Sequence, residues 1–147
     1  VKAYNGTDYA KTPGAGAAGG LGFAFLSYTN AVLESGVKII LEETKLESFI
    51  KNADFVITGE GRLDGQTVMG KAPIGVAEIA KKYEKKVLAF GGCVAEDATL
   101  CNQYGIDAFF PILRTVTTLK EAMDFNHAKE NLSAAVEQVF RLIQSFE

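Results

Sequence analysis

Between positions 59 and 71 the sequence reads GEGRLDGQTVMGK, which gathers a carboxylate (Glu60), a guanidinium (Arg62), a second carboxylate (Asp64), an amide (Gln66), a hydroxyl (Thr67) and an ammonium (Lys71). Arg62 offers a planar fork suited to a phosphoryl or carboxylate group. Gly59 and Gly61 on either side of Glu60 let backbone N–H groups come close to an anion. Glu60 or Asp64 could accept a hydroxyl proton or hold hydrated magnesium, an ion that usually takes one or two carboxylates and keeps its waters. The set suits phosphoryl transfer, where catalysis is mostly positioning and charge neutralisation. A plainer reading stays open beside it, in which Arg62 pairs with Glu60 or Asp64 only to pin a surface loop.

A second stretch, GAGAAGGLGF at 14–23, sets Gly14, Gly16 and Gly19 in the G-x-G-x-x-G spacing of a dinucleotide cradle. That fingerprint needs a strand immediately before it, to deliver the glycines to a pyrophosphate at a helix N-terminus. The preceding DYAKTP is no strand, so a nicotinamide-binding Rossmann oxidoreductase domain is kept only as an alternative. Close packing of a helix on a neighbour is the structural reading of the same glycines. Within the first stretch, GQTVMGK fits the opening of a Walker loop, but Ala72 stands where the magnesium-binding Ser or Thr belongs. A Walker site is therefore rejected, while Lys71 is retained as a phosphate or carboxylate contact.

Elements that could position these residues follow from periodicity. Four short apolar runs, 37–42, 54–58, 86–91 and 107–112, read as strands buried on both faces of a parallel sheet. Helical stripes lie between them: Leu21, Ala24, Phe25, Tyr28 and Val32; then Val76, Ile79, Ala80 and Tyr83; then Ala128, Leu132, Ala135, Val136, Val139 and Ile143. Thr44 with Glu47 and Thr118 with Glu121 have the spacing of capping boxes. The alternation predicts an α/β fold, a three-layer αβα sandwich around a mostly parallel sheet. The 14 residues from Gly59 to Ala72 form a long loop at the carboxyl end of a strand, where open α/β sheets bind ligands.

Bulk properties narrow the function classes. The 147 residues carry 48% hydrophobic and 22% charged side chains with a net charge of −3, so neither nucleic acid nor an anionic membrane is the expected partner. No apolar run approaches a bilayer span and no secretory leader pattern opens the chain, so a cytoplasmic protein is expected. Cys93 and Cys101 are expected as buried or half-buried thiols, and His127, the single histidine, is not expected to be catalytic. The chain opens at Val1 on a polar, aperiodic segment, and is expected to be part of something longer.

The stretches PGAGAAGGLGF, LEETKLESFIKNADFVITGEGRLDGQTVMGKAPIGVA and VLAFGG closely resemble the bacterial glycerate kinase family, of the type that phosphorylates D-glycerate. The match runs in order from Pro13 to the C-terminus, and ITGEGRLDGQT followed by GKAPIGVA is its most specific part. Members are much longer, so residues 1–147 resemble only their C-terminal portion, including the C-terminal half of a Rossmann-like domain that is built from both chain ends. The resemblance implies two α/β domains with the site in the cleft between them. It further implies transfer of the γ-phosphoryl group of ATP, with magnesium, to D-glycerate, giving 2-phosphoglycerate or 3-phosphoglycerate. Gly59, Glu60, Gly61, Arg62, Asp64, Gln66 and Thr67 match the family's signature loop, and Gly14, Gly16, Gly19 and Gly20 its glycine segment. On that footing Arg62 and Lys71 would hold anionic groups, Asp64 would orient or deprotonate the acceptor hydroxyl, and Glu60 or Asp64 would serve magnesium. The glycine segment would form a backbone anion cradle leading into a helix. The stretch alone is expected to be inactive without the N-terminal part. Exposed apolar sheet edges make a homodimer or domain swap the expected state, and an inert self-associating fragment is the remaining alternative.

Overall fold

The computed structural model describes residues 6–146, and these fall into two compact units that meet in sequence between Ile39 and Ile40. The first unit holds the glycine segment and α1 (Ala17–Tyr28). Its helix begins irregularly, because Ala18, Gly19 and Gly20 all take left-handed backbone angles. It ends at Thr29, which is extended and whose hydroxyl bonds back to the Phe25 carbonyl at 2.7 Å. The expected apolar stripe is largely open: Leu21, Phe25 and Tyr28 are exposed, and Val32 lies beyond the helix.

The division falls within α2 (Gly36–Glu43), where a strand over 37–42 was expected. Val37 and Leu41 are the half-buried members of this stretch and stand four apart, while Ile39 and Ile40 are exposed. Such spacing serves a helix face, and a run of β-branched residues does not override it. A Glu34–Lys38 ion pair at 2.5 Å, four residues apart, adds local support. The capping box expected of Thr44 and Glu47 is also absent. Thr44 instead closes α2, donating to the Ile40 carbonyl at 2.7 Å, and Glu47 accepts from the Tyr83 hydroxyl at 2.6 Å from within α3 (Leu46–Ile50).

The second unit is built on β1 (Phe55–Leu63), β2 (Lys86–Val94) and β3 (Ala108–Pro111), all parallel, in the order β1-β2-β3. Along β2 the side chains alternate between two cores, as strand geometry demands. Val87 and Ala89 pack with Ile74, Ala77 and Ala80 of α4 (Ala72–Lys82), together with Cys101 and Ile106. Leu88 and Phe90 pack on the other side with Ala135, Val136, Val139 and Ile143 of α6 (Phe125–Gln144). The sheet thus lies between two helical layers, the α/β sandwich that the alternation predicted. Short α5 (Leu119–Ala122) starts with the complete Thr118–Glu121 capping box. Those hydrogen bonds from Thr118 and Thr117 hold the Glu121 carboxyl down at about 2. Among the described residues no helix is long and apolar enough to cross a membrane.

One boundary matters for the site. The strand expected over 54–58 is real but runs on to Leu63, so the first five positions of the expected long loop are sheet. They pair in register with the end of β2, Glu60 opposite Gly91, Arg62 opposite Cys93 and Leu63 opposite Val94. Alternating glycine and charge has little strand propensity, and the neighbouring strand supplies what propensity does not.

Candidate active site

Glycine shapes the carboxyl end of the sheet. A Cβ on Gly59 would collide with the Phe90 carbonyl oxygen, and one on Gly92 would stand 2.7 Å from the Gly61 carbonyl oxygen. Interior strand glycines mark such close backbone approach. Val56 and Leu63 differ in parity, yet both reach the α4 side of the sheet, so β1 turns over between them, through Gly59 and Gly61. Beyond Leu63 the chain folds tightly: Thr67 N–H donates to the Asp64 carbonyl at 2.9 Å, and Gln66 N–H to Asp64 Oδ1 at 3.0 Å. A 3-10 turn, Thr67–Met69, then leads to Lys71, the residue before α4.

These bends bring four charges together. Lys71 Nζ lies 3.5 Å from Asp64 Oδ1 and 3.9 Å from Glu60 Oε2, and Arg62 Nε lies 3.3 Å from Asp64 Oδ2. Thr67, fully buried, donates its hydroxyl proton to Glu60 Oε1 and accepts from Asp64 N–H at 3.1 Å. Burial by itself would push the Asp64 carboxyl up. The Gln66 N–H bond and the charges of Lys71 and Arg62 outweigh it and hold the group below the ordinary carboxylate range. Asp64 is therefore ionised at neutral pH. Arg62 is mostly exposed while both carboxylates are largely covered, so the cations form the outer layer of the cluster.

The expected residues Glu60, Arg62, Asp64, Thr67 and Lys71 thus meet at one sheet rim, flanked by Gly59 and Gly61. Gln66 contributes its backbone N–H, and its side chain is exposed. Gly14, Gly16, Gly19 and Gly20 belong to the first unit. There the tightly packed glycine is Gly22, where a Cβ would collide with the Gly14 carbonyl oxygen, whereas Gly16, Gly19 and Gly20 have open space at that position. Among the described residues no strand precedes Gly14. Cys93 corrects another expectation, being exposed in β2 opposite Arg62, while Cys101 is buried. Burial, with the charges of Glu60, Asp64 and Asp97, pushes the Cys101 thiol up. His127 sits exposed in the first turn of α6, its N–H bonded to Asp124.

Sequence reasoning missed how the second strand serves this rim. Gly91 and Gly92 clear space for Leu63 and for the Gly61 backbone, and Asp97 stands against Gly65, whose Cβ would lie 2.6 Å from Oδ2. Paired glycines at a strand end were the available signal. Among the described residues no group of three or more His, Cys, Asp or Glu side chains could hold a metal ion. Elsewhere, an open depression of about 500 Å³ is lined by Arg114, Asn126, Lys129, Glu130, Ser133 and Glu137 and by none of the rim residues.

A model described as the glycerate kinase family matches residues 1–144. The chain belongs to the glycerate kinase family. It is 45% identical to the glycerate kinase of Bacillus subtilis (strain 168) over 91% of its own length and 35% of that protein. Against the glycerate 2-kinase of Escherichia coli (strain K12) it is also 45% identical, over 87% of the chain and 33% of the relative. A solved chain from Salmonella typhimurium LT2 that carries the name glycerate kinase 2 superposes with a TM-score of 0.62 at 36% identity, covering 91% of this chain and 33% of that one. The chain therefore spans about a third of the length of its glycerate kinase relatives, as a C-terminal portion would.

Proposed function

We propose that this chain is the C-terminal portion of a glycerate kinase, which moves the γ-phosphoryl group of ATP to a hydroxyl of D-glycerate and gives 2-phosphoglycerate. The observation that carries this reading is the Glu60–Arg62–Asp64–Lys71 cluster at the carboxyl rim of a parallel sheet, in a chain of this family. Arg62, exposed and planar, binds an oxyanion of glycerate or of the nucleotide. Lys71 neutralises a second anionic group. Asp64 accepts a hydrogen bond from the acceptor hydroxyl and orients it. Its lowered proton affinity makes it a weak base, which a loose phosphoryl-transfer transition state tolerates.

The donor chemistry fits magnesium in one way. Lys71 already fills the space between the two carboxylates, so Glu60 or Asp64 would add a single oxygen to a hydrated ion held chiefly by phosphates. Bound there, magnesium would offset charge on the transferring group. The name of the Escherichia coli relative favours the 2-hydroxyl over the 3-hydroxyl. Backbone N–H groups of Gly14, Gly16 and Gly19 are assigned to an anion cradle, with Gly20, whose own N–H donates to the Gly16 carbonyl at 3.3 Å, shaping its turn; the remaining two-thirds of a full-length kinase is assigned to the rest of the cleft in a cytoplasmic enzyme. Fewer strands than a complete Rossmann-like sheet leave the edges at β1 and β3, and a second copy pairing there is the expected state of the isolated chain.

The test is an assay of the full-length protein with ATP, magnesium and D-glycerate, with the product's phosphate placed by phosphorus–proton correlation NMR. Phosphate on the 2-oxygen is expected. Phosphate on the 3-oxygen would move the acceptor, and absence of turnover would sink the reading.

A further inference from the structure

We infer that Thr67 is a positioning residue for the phosphoryl transfer proposed above: its buried hydroxyl locks the Glu60 carboxylate with one oxygen held and the other turned to Lys71, and it never meets substrate. The inference rests on that reading of the function. A threonine in a polar signature loop is ordinarily assigned to a phosphate or a substrate hydroxyl. The geometry points elsewhere. Thr67 has no exposed surface, although Gln66 before it and Met69 shortly after are both exposed.

A hydroxyl carries one proton and accepts through its lone pairs. The Thr67 hydroxyl accepts from Asp64 N–H at 3.1 Å, and its proton goes to Glu60 Oε1. The donor is spent. A substrate oxygen could recruit it only by breaking a charge-assisted hydrogen bond inside a covered site, where such bonds are strongest. Thr67 is also anchored through its backbone, its N–H on the Asp64 carbonyl at 2.9 Å and its carbonyl accepting from Lys71 N–H at 3.3 Å. One residue thus sets the turn that carries Asp64, the orientation of Glu60 and the approach to Lys71.

Two substitutions separate this role from substrate contact and from simple loop stability. In the full-length kinase, Thr67→Val keeps the shape and removes the hydroxyl, while Thr67→Ser keeps the hydroxyl. Misplacing a reacting group by about 1 Å costs on the order of 100-fold. The expected result is a kcat reduced by roughly that factor in Thr67→Val, Michaelis constants for glycerate and ATP within about threefold of normal, and kcat restored to within about threefold in Thr67→Ser. A raised Michaelis constant with kcat intact would make Thr67 a substrate contact and overturn the inference. A lower melting temperature with normal kcat would overturn it too. Carbon-13 relaxation of the Glu60 side chain in the same variants reads the locking directly, without turnover. Glu60 should be ordered in the wild type and Thr67→Ser, and mobile in Thr67→Val. Unchanged order in Thr67→Val would refute the inference even if glycerate proved not to be the substrate, whereas loss of order without any wild-type turnover would fault only the assigned reaction.

Discussion

The rim at 59–71 and the segment at 14–22 are both rich in glycine, yet glycine does different work in each. At the rim the backbone of one strand presses on the next, and Gly59 and Gly92 stand where a side chain would meet a carbonyl oxygen. In the other segment Gly16, Gly19 and Gly20 face open space, whereas a Cβ on Gly22 would collide with backbone and one on the left-handed Gly14 (φ +85°) would stand 3.2 Å from the Leu33 side chain. Gly19 and Gly20 have a backbone reason, since both are left-handed. Gly16 has neither reason, with φ −76° and ψ −6° in a region any residue adopts. A glycine that neither packing nor backbone angle requires is the strongest candidate for direct approach by a ligand.

Substitutions in the two regions should separate these roles of glycine. The largest effect is expected from Gly59→Ala, whose new methyl meets the Phe90 carbonyl oxygen in the centre of the sheet. Overpacking against backbone should cost about 3 kcal/mol, read as a fall in melting temperature or as failure to fold. A normal melting curve would mean that the rim yields and that its glycines are as free as those at 14–20. Asp64→Asn comes next, with kcat lowered on the order of 100-fold and Michaelis constants changed much less, because an orienting group acts mainly in the transition state. Near-normal turnover would return Asp64 to the role of a loop pin.

Gly16→Val should change stability by less than about 1 kcal/mol while weakening nucleotide or glycerate affinity about tenfold, a difference that calorimetry on the full-length protein would read. A large loss of stability would restore packing as the reason for that glycine. The smallest effect concerns Asp107, outside both regions. Burial pushes its carboxyl up, but hydrogen bonds from Lys81 and Val87 N–H, with the charges of Lys81 and Lys86, bring it below the ordinary 3.8. Its contribution to stability is present above that value and fades as pH falls through the lower folded value. Melting curves between pH 5 and pH 2 should therefore be flatter for Asp107→Asn than for the wild type, and identical slopes would remove this pair as a source of acid sensitivity.

Much of the fold was legible because it follows local rules. Val87 to Phe90 is a run of four apolar residues, and both faces of that strand are indeed covered. The spacing of Ala135, Val139 and Ile143 marked the sheet-facing side of α6, and the Thr118–Glu121 box marked the start of α5. What misled is equally specific. In VKIILE, β-branched composition spoke for a strand while the spacing of Val37 and Leu41 spoke for a helix, and the spacing prevailed. GEGRL offered no strand propensity and became one because β2 lay alongside. The polar and charged side chains of the rim were readable by type. Which of them turn inward was not, since the burial of Thr67 depends on a turn that closes across residues 64–67 and on strands joined only in the folded chain.

The cluster of Glu60, Asp64, Arg62 and Lys71 cancels its own charge. Long-range attraction needs a net field, and these four groups project almost none, while Asp97, against Gly65, adds a negative charge beside them. An anion bound there, as proposed, would be recognised at short range, by exchanging partners within the cluster, and raising the salt concentration should not reveal a strong electrostatic steering of its association to this part of the molecule.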